Sequence, residues 1–384
     1  MEAQSSQLIA AAPVSAPRFR LLIDGRKLGH GGIGVYTENL IQGLLQRGES
    51  SITVIASKDQ AQRMPFVDDV KWLIDSTRPY SLDELFRFAR RIPFSSFDLF
   101  HAPHYILPFG IPIPTVVTVH DLIHIQHPQR FFYPLLSKPL LTSAVTRASR
   151  VIAVSRDTQR ALISRIGVSA QKVHYIPNAI ASFLDTSSVV DSCAASGSAP
   201  RPYLLSVVSN LKPHKGVEDL LNAYRSFKAA CGSHAVCPDL FLAGYGAEEI
   251  RNRTSIGTLA EGIHGVHVLG AVEQCELRDL YRRARALVVP SLAEGFCLPA
   301  LEAQACGTPV ICRPVPAIQE LLTPHDIVAA DLSVSAFAAA LAHGCSRPDL
   351  QRTVANTHLE RFSLPVVAEQ IRSLYADVLQ GGRE

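Results

Sequence analysis

Short apolar segments alternate with amphipathic segments along most of the chain. The first apolar segments are Phe19 to Asp24, Ile52 to Ala56, Asp98 to Phe100 and Thr115 to Val119, and a helical pattern runs from Val35 to Gln46. Alternation of this kind is typical of βαβ units, in which helices join parallel strands. We therefore predict an α/β fold built on parallel sheets.

The alternation continues, stops and then resumes. Val151 to Val154 and Val173 to Ile176 are predicted strands, and a stretch rich in small polar residues follows them. Such a composition suits an interdomain connection. The pattern beyond it predicts strands at Tyr203 to Val208, Asp239 to Ala243 and Val266 to Leu269, and helices at Val217 to Ala229 and Glu276 to Arg283. Two Rossmann-like domains would then direct the ligand-binding edges of their sheets into one cleft.

The chain has 384 residues, too many for one ordinary hydrophobic core. We expect a flexible tail over 1–17, a first domain over 18–185 and a linker over 186–201. A second domain is expected over 202–360, and a C-terminal helix over 361–384 that crosses back to the first domain.

Composition and charge exclude some classes of protein. The net charge of the whole chain is +3, which is too small for a dedicated nucleic-acid-binding protein. The positive charge lies in residues 1–200, which contain 20 Lys and Arg against 15 Asp and Glu. The eight cysteines form no CxxC pair and are too sparse for a disulfide scaffold, which favours a reducing cytoplasm. No apolar stretch is long enough to cross a bilayer, so we expect any membrane contact to be peripheral.

Two carboxylates eight residues apart give the strongest indication of chemistry. Glu294 follows the apolar run Ala286 to Pro290, and Glu302 lies in a predicted helix from Ala300 to Cys306 that Pro299 opens and Gly307 closes. In a parallel sheet this loop lies at the carboxyl edge, where a helix N-terminus binds phosphate. The pair suggests a ligand that carries both phosphate and hydroxyl groups.

Gly29 to Gly34 matches GxGxxG between a strand and a helix. A dinucleotide-binding oxidoreductase is therefore one alternative. Gly25 to Leu28 intervenes where that fingerprint needs a tight turn, and the second strand ends in Ser57 and Lys58 without an acidic residue. We retain NAD(P) binding as a minority interpretation, and anion binding at the start of the helix as the preferred one.

Lys212 and Lys215 precede the predicted helix that begins at Val217, after the first strand of the second domain. Their charge near a helix N-terminus suits a pyrophosphate. Lone lysines in loops are usually only solvated, but Lys215 is predicted to share a sheet edge with the Glu294 loop.

These motifs resemble those of the retaining family 4 glycosyltransferases, which have the GT-B fold, and the resemblance spans nearly the whole chain. The most specific motif runs from Pro290 through Glu294 and Glu302 to Val310, and resembles the family's Glu-x7-Glu donor motif. The other segments that carry the resemblance are Ile33 to Tyr36, His120 to Leu122, Ala153 to Ser155, Ile176 to Asn178, Lys212 to Gly216 and Ala243 to Gly246.

The resemblance implies a role for each matching position. Glu302 would hold the ribose hydroxyls, Glu294 would lie beside the donor sugar and its phosphate, and Lys215 would neutralise the leaving diphosphate. His120 would be the active-site histidine near the C6 hydroxyl of the sugar, and Gly32 would approach the diphosphate from the first domain. The loop backbone would contact sugar hydroxyls at Gly295, Phe296, Cys297 and Leu298.

Some positions depart from the family pattern. Asn210 stands where relatives often have arginine, so that either Lys212 compensates or one phosphate contact is lost. Cys297 replaces the usual second glycine after the first glutamate, which would narrow the sugar pocket. The resemblance implies catalysis without a metal ion or resident cofactor, and the sequence contains no Asp-x-Asp motif.

Substrates are inferred from the same resemblance. Ile23 to Arg26, Gly32 to Gly34 and Lys212 to Lys215 are similar to bacterial mannosyl- and rhamnosyltransferases of polysaccharide assembly, which favours GDP-mannose over a UDP-hexose as donor. The acceptor would be a saccharide or polyprenyl-linked saccharide at the cytoplasmic face of the inner membrane. Tyr80 to Phe94 is a candidate docking helix there, although an ordinary surface helix explains it better. A GT-B epimerase and an inactive paralogue remain as further alternatives.

Overall fold

The computed structural model describes residues 19–48, 51–128, 133–180, 203–231, 237–252, 254–347 and 356–381. Two parallel sheets, of seven and six strands, organise these residues. Six of these thirteen strands are buried along their whole length, as expected for parallel strands with helices on both faces. The predicted α/β fold of two Rossmann-like units is confirmed.

The first sheet has the strand order β3-β2-β1-β4-β5-β6-β7. Its strands are β1 (Leu21–Asp24), β2 (Ile52–Ala56), β3 (Lys71–Ile74), β4 (Leu99–Ala102), β5 (Thr115–Val119), β6 (Arg150–Ala153) and β7 (Val173–Tyr175). The helices that accompany it are α1 (Gly31–Gln46), α2 (Lys58–Arg63), α3 (Leu82–Phe86), α4 (Phe88–Arg91), α5 (Ile123–Gln126), α6 (Tyr133–Arg147) and α7 (Arg156–Ala161), which continues as a π-helical turn over Leu162–Ile166.

The second sheet has the order β10-β9-β8-β11-β12-β13. Its strands are β8 (Tyr203–Val207), β9 (Asp239–Ala243), β10 (Val266–Gly270), β11 (Ala286–Val289), β12 (Val310–Cys312) and β13 (Ile327–Val328). The helices are α8 (Val217–Ala230), α9 (Tyr245–Asn252), α10 (Thr254–Glu261), α11 (Gln274–Arg283), α12 (Leu298–Ala305), α13 (Pro316–Gln319), α14 (Val334–Ser346), α15 (Asn356–Glu360) and α16 (Leu364–Gly381).

The last helix, α16, packs against α1 beside the first sheet. The hydroxyl of Tyr375 lies 2.5 Å from Nδ1 of His101, which is buried in that sheet. The guanidinium of Arg47 donates to the carbonyl of Pro365 at 3.0 Å. The C-terminal helix therefore ties the end of the chain to the first sheet.

A carboxylate of the second unit also caps a helix of the first. Glu320 accepts the backbone N–H groups of Arg156 and Asp157, each at 2.8 Å. These N–H groups belong to the first turn of α7 and have no partner within the helix. The two sheets are thus held together by contacts near the carboxyl ends of their strands.

Several predicted boundaries were wrong. Helix α1 begins at Gly31 and not at Val35, so the glycines form its first turn. The segment from Tyr80 to Phe94 contains two short helices, α3 and α4, in which Glu84 and Phe88 are buried while Leu82 and Phe86 are exposed. The sequence pattern did not predict strands β3, β12 and β13.

The proposed tail over 1–17 lies outside the described residues, as does the proposed linker over 186–201. Within the described residues, no helix combines the length and apolar character needed to span a membrane.

Candidate active site

The loops that follow β8 and β11 meet at a crevice in the second sheet. These strands are neighbours, whereas β9 lies beyond β8 on one side and β12 beyond β11 on the other. The connections from β8 and from β11 therefore run towards opposite edges of the sheet. Such a reversal leaves a gap at the carboxyl ends of the two strands, where α/β proteins bind ligands. The β8 loop carries Lys212 and Lys215, and the β11 loop carries Glu294.

A cavity of about 340 Å³ opens at this crevice, and both sheets contribute to its walls. Ten of the eleven predicted site residues line it, and Glu302 does not. The ten are Gly32, His120, Asn210, Lys212, Lys215, Glu294, Gly295, Phe296, Cys297 and Leu298. The structure therefore brings together most of the residues that the sequence pattern singled out.

Lys215 and Glu294 form an ion pair at the centre of this group. Nζ of Lys215 lies 2.6 Å from Oε1 of Glu294, and the hydroxyl of Ser291 donates to the same oxygen at 2.7 Å. Burial lowers the pKa of Lys215, but the charge of Glu294 and this hydrogen bond outweigh it and leave the pKa above its usual value. Lys215 is therefore a fixed cation in the cavity wall.

His120 is held as a neutral imidazole. Its Nε2 lies 3.0 Å from the carbonyl oxygen of Pro103, which can only accept, so Nε2 carries the proton. Burial lowers the pKa of the ring, and Tyr36 packs edge-on against it with centroids 4.9 Å apart. Nδ1 is then an acceptor that can receive a hydrogen bond from a ligand hydroxyl.

The first turn of α1 reaches the cavity from the other sheet. No side chain caps this terminus, and no acidic residue lies in its first turn. A Cβ placed at Gly32 would meet no atom within 4 Å, whereas one at Gly34 would lie 2.7 Å from the carbonyl oxygen of Lys27. Gly34 is therefore required by packing, while the space beside Gly32 is open to a ligand at a helix N-terminus.

Cys297 adopts a backbone conformation that non-glycine residues rarely take. Its φ is +89°, and it precedes the first turn of α12 without capping it. Its side chain is buried, and burial followed by the charge of Glu294 raises the pKa of the thiol. The thiol is thus a small neutral group in the wall of the cavity.

Glu302 lies further along α12, facing α11. Its Oε2 accepts the hydroxyl of Tyr281 at 2.8 Å. Burial raises the pKa of Glu302 to about 7, although the hydrogen bond from Tyr281 lowers it. Its contact with a ribose stays a prediction.

The side chain of Asn210 makes hydrogen bonds to neighbouring residues of its own loop. Oδ1 accepts the backbone N–H of Lys212 at 3.1 Å, and Nδ2 donates to Ser209 at 3.3 Å. Asn210 therefore shapes the β8 loop, and the exposed Lys212 supplies the positive charge there.

Sequence reasoning assigned no role to two polar groups in the cavity wall. Asn178 and Ser206 are 5% and 1% exposed, and both line the cavity. Oδ1 of Asn178 and Oγ of Ser206 have no hydrogen-bond partner among the described residues. A buried polar atom without a partner costs free energy, so a ligand that supplies one would be favoured. The position of Asn178 just beyond β7 was the available signal.

A buried ion cluster supports the loop between β1 and α1. The guanidinium of Arg26 lies 2.5 Å from Asp24 and 2.6 Å from Glu84, and His104 lies 3.2 Å from Asp24. Asp24, Glu84 and His104 are close enough together to hold a metal ion, but Arg26 already supplies the positive charge between them. We therefore interpret this cluster as structural.

Two family profiles match the chain. The profile described as Glycosyltransferase Family 4 matches residues 30–182, and that described as Glycosyl transferases group 1 matches residues 193–358. The chain is 27% identical over 232 residues to the O-antigen chain mannosyltransferase RfbU of Salmonella typhimurium, a match that covers 60% of each chain. It is also 27% identical to the O-antigen chain mannosyltransferase B of Escherichia coli, over 63% of each chain. These matches span less than two thirds of the relatives' lengths.

Solved structures share the fold at low sequence identity. The sucrose-phosphate synthase of Thermosynechococcus elongatus aligns with a TM-score of 0.73 and 20% identity, over 94% of this chain and 99% of that one. Anabaena HepE in complex with UDP and glucose aligns with a TM-score of 0.69 and 19% identity, over 93% and 99% of the two chains. These neighbours support the two-domain GT-B fold.

Proposed function

Since the chain belongs to the family 4 glycosyltransferases, we propose that it transfers a hexosyl residue from a nucleotide sugar to a saccharide acceptor. The observation that carries this proposal is the Lys215–Glu294 ion pair in a cavity at the β8/β11 crevice. Such a site offers both a fixed cation for a diphosphate and a carboxylate for sugar hydroxyls.

The cationic groups would act on the leaving group. A glycosyl donor reacts through an oxocarbenium-like state while negative charge grows on the departing diphosphate. Lys215, Lys212 and the N-terminus of α1 lie around one cavity, and fixed donors of this kind stabilise the charge as it develops. They would fulfil the role that a metal ion plays in other transferases, so we propose a reaction independent of metal.

The carboxylate and the imidazole would act on the sugar. Oε1 of Glu294 accepts hydrogen bonds from Nζ of Lys215 and from the hydroxyl of Ser291. These bonds hold the negative charge of Glu294 in place beside the cavity. Neutral His120 would accept a hydrogen bond from a sugar hydroxyl through Nδ1. We propose retention of the anomeric configuration through front-face attack, with the leaving phosphate assisting the incoming hydroxyl. Glu294 then serves as an electrostatic stabiliser.

The proposed donor is GDP-mannose, because both relatives compared above carry the name O-antigen chain mannosyltransferase. The proposed acceptor is a saccharide or polyprenyl-linked saccharide of polysaccharide biosynthesis at the cytoplasmic face of the inner membrane. The exposed side chains of Leu82 and Phe86 beside exposed Arg87 and Arg90 support peripheral contact with an anionic membrane.

A panel of GDP- and UDP-sugars tests this proposal, with mass spectrometry to detect slow donor hydrolysis. We expect GDP-mannose to be hydrolysed faster than the UDP-hexoses. The transferase proposal fails if no sugar nucleotide binds or is hydrolysed while NAD(P) binds tightly. Preferential hydrolysis of a UDP-hexose would replace only the donor assignment.

A further inference from the structure

Arg313 is a buried arginine that contacts both elements carrying the ion pair of Lys215 and Glu294. It follows strand β12, and its side chain is fully buried. Its Nη1 donates to a carboxylate oxygen of Asp219 at 2.8 Å and to the carbonyl oxygen of Pro290 at 3.1 Å. Asp219 lies in the first turn of α8, and Pro290 directly follows β11. One nitrogen of Arg313 therefore joins the helix that follows Lys215 to the loop that carries Glu294.

The β8 and β11 loops also touch each other directly. Gly216 has a φ of +63°, and a Cβ placed there would overlap the carbonyl oxygen of Pro290. The backbone N–H of Leu292 donates to the carbonyl oxygen of His214 at 2.7 Å. Since Lys215 lies between His214 and Gly216 in the chain, its backbone has a contact with the β11 loop on each side.

Stability alone does not explain the burial of Arg313. Its Nε and Nη2 are buried and have no hydrogen-bond partner among the described residues. The side chain of its ion-pair partner Asp219 is 35% exposed, so water weakens the pair. The ring of Phe337, 5.2 Å from Cζ, offsets part of the cost of removing this charge from water. A costly buried charge that contacts both loops of a binding site indicates a role in the geometry of that site.

We infer that Arg313 is a positioning residue, which holds the β8 and β11 loops together so that Lys215 meets Glu294 in the cavity. This inference rests on the proposed function, in which the ion pair acts on the leaving diphosphate and the sugar. Pro290 directly precedes Ser291, whose hydroxyl donates to Glu294 at 2.7 Å. Loss of the link frees the two loops to shift, and a misplacement of about 1 Å at a reacting centre costs up to about 100-fold in rate.

Four variants test this link. Arg313→Met removes the charge and keeps a similar length, and Arg313→Lys keeps an ammonium group that can donate to both oxygens. Asp219→Ala breaks the link from α8. Its matched control is Glu218→Ala, because Glu218 is also an acidic residue in the first turn of α8 but is exposed. Denaturant unfolding identifies the variants that fold, and Asp219→Ala decides the test if Arg313→Met does not fold.

Two measurements report on the ion pair. Steady-state hydrolysis of GDP-mannose gives kcat and KM, and NMR with isotope-labelled lysine side chains gives the pKa of Lys215. Burial lowers the pKa of Lys215 and the charge of Glu294 raises it, so separation of the pair lowers this pKa. Removal of the Arg313 charge alone would raise it. A fall in Arg313→Met therefore reports a change of geometry, and this readout does not depend on activity.

In Arg313→Met and Asp219→Ala we expect kcat to fall about tenfold or more while KM for the donor changes less than about threefold. The pKa of Lys215 should fall by about 0.5 or more in both. Arg313→Lys should keep kcat within about threefold of the parent, because its ammonium group restores the link. Glu218→Ala should match the parent in both measurements.

The inference is overturned if the pKa of Lys215 keeps its parent value in the folded variants, or if Arg313→Met has the kcat of the parent. It is also overturned if Glu218→Ala has the same effect as Asp219→Ala. Absence of hydrolysis with every nucleotide sugar would instead refute the transferase function, and the pKa of Lys215 would still decide whether Arg313 holds the pair.

Discussion

Gly295 of the second unit lies against the backbone of His120 in the first. A Cβ placed at 295 would overlap the carbonyl oxygen of His120 and lie 2.9 Å from the Cβ of Asp121. The loop after β11, which carries Gly295, and the loop after β5, which carries His120, are therefore so close that only a hydrogen atom fits at position 295. This contact brings Glu294 and His120 to one cavity.

Gly295→Ala should hold the two units apart. The added methyl group cannot fit while the loops touch, so the site cannot assemble fully. We expect kcat/KM for the donor to fall tenfold or more, equivalent to about 1.4 kcal/mol of transition-state stabilisation. Small-angle X-ray scattering should show a larger radius of gyration. Gly381→Ala is the control, because a Cβ there meets no atom within 4 Å. Parent-like kinetics in Gly295→Ala would show that the contact is dispensable.

Two glycines of α1 should respond in opposite ways to alanine. A Cβ at Gly32 meets no protein atom, so Gly32→Ala should not lower the thermal stability and should raise the KM for the donor by filling ligand space. Gly34→Ala should destabilise the fold by about 1–3 kcal/mol, because its methyl group meets the backbone at Lys27. Denaturant unfolding and donor kinetics measure the two effects. The anion site at α1 is refuted if Gly32→Ala binds the donor as tightly as the parent.

These glycines also show where sequence reasoning reached its limit. Glycine disfavours helix interiors by about 1 kcal/mol relative to alanine, so a run of glycines predicts a loop before Val35. The helix nevertheless begins at Gly31, and Gly34 packs closely against the strand-to-helix loop. The start of α1 therefore could not be predicted from local helix propensity.

The position of the loop after β11, which carries Glu294, was predicted more accurately than the start of α1, for a physical reason. Ala286 to Pro290 is a buried apolar run followed by Glu294, and in a parallel sheet such a loop can only emerge at the carboxyl edge. The contact between Glu302 and Tyr281 joins two separate helices and leaves no local signal. Strands β3 and β13 were missed because β3 is a partly exposed edge strand and β13 has two residues.

Lys215, Glu294 and Glu302 should differ in which kinetic constant they affect. Lys215→Ala removes the cation that would stabilise the diphosphate, and Glu294→Ala removes its partner, so each should lower kcat about 100-fold or more. Glu302→Ala should mainly raise the KM for the donor, because Glu302 is expected to hold the ribose hydroxyls, away from the bond that breaks. Steady-state kinetics with varied donor would separate the two patterns. Equal, wild-type-like constants in all three variants would defeat the site assignment.

The titration of Glu302 should give the donor affinity a dependence on pH. Burial raises the pKa of Glu302 to about 7, so in the free protein the group is largely protonated below that pH. Only the carboxylate can accept a hydrogen bond at both oxygens from a ribose diol. The KM for the donor should therefore rise as pH falls below about 7. Glu302→Gln, which does not titrate, should have a weaker affinity that stays constant from pH 5.5 to 8.

The same pKa predicts how stability changes with pH. An ordinary glutamate titrates near pH 4.3, so between about pH 4.3 and 7 the folded protein holds a proton that the unfolded chain has lost. This group therefore makes the free energy of unfolding decrease as pH rises through that range. Glu302→Gln should be more stable than the parent at pH 8, and this advantage should shrink towards pH 4.5. Identical pH profiles of unfolding in the two proteins would show that Glu302 titrates normally, and the predicted rise of the donor KM below about pH 7 would then lose its basis.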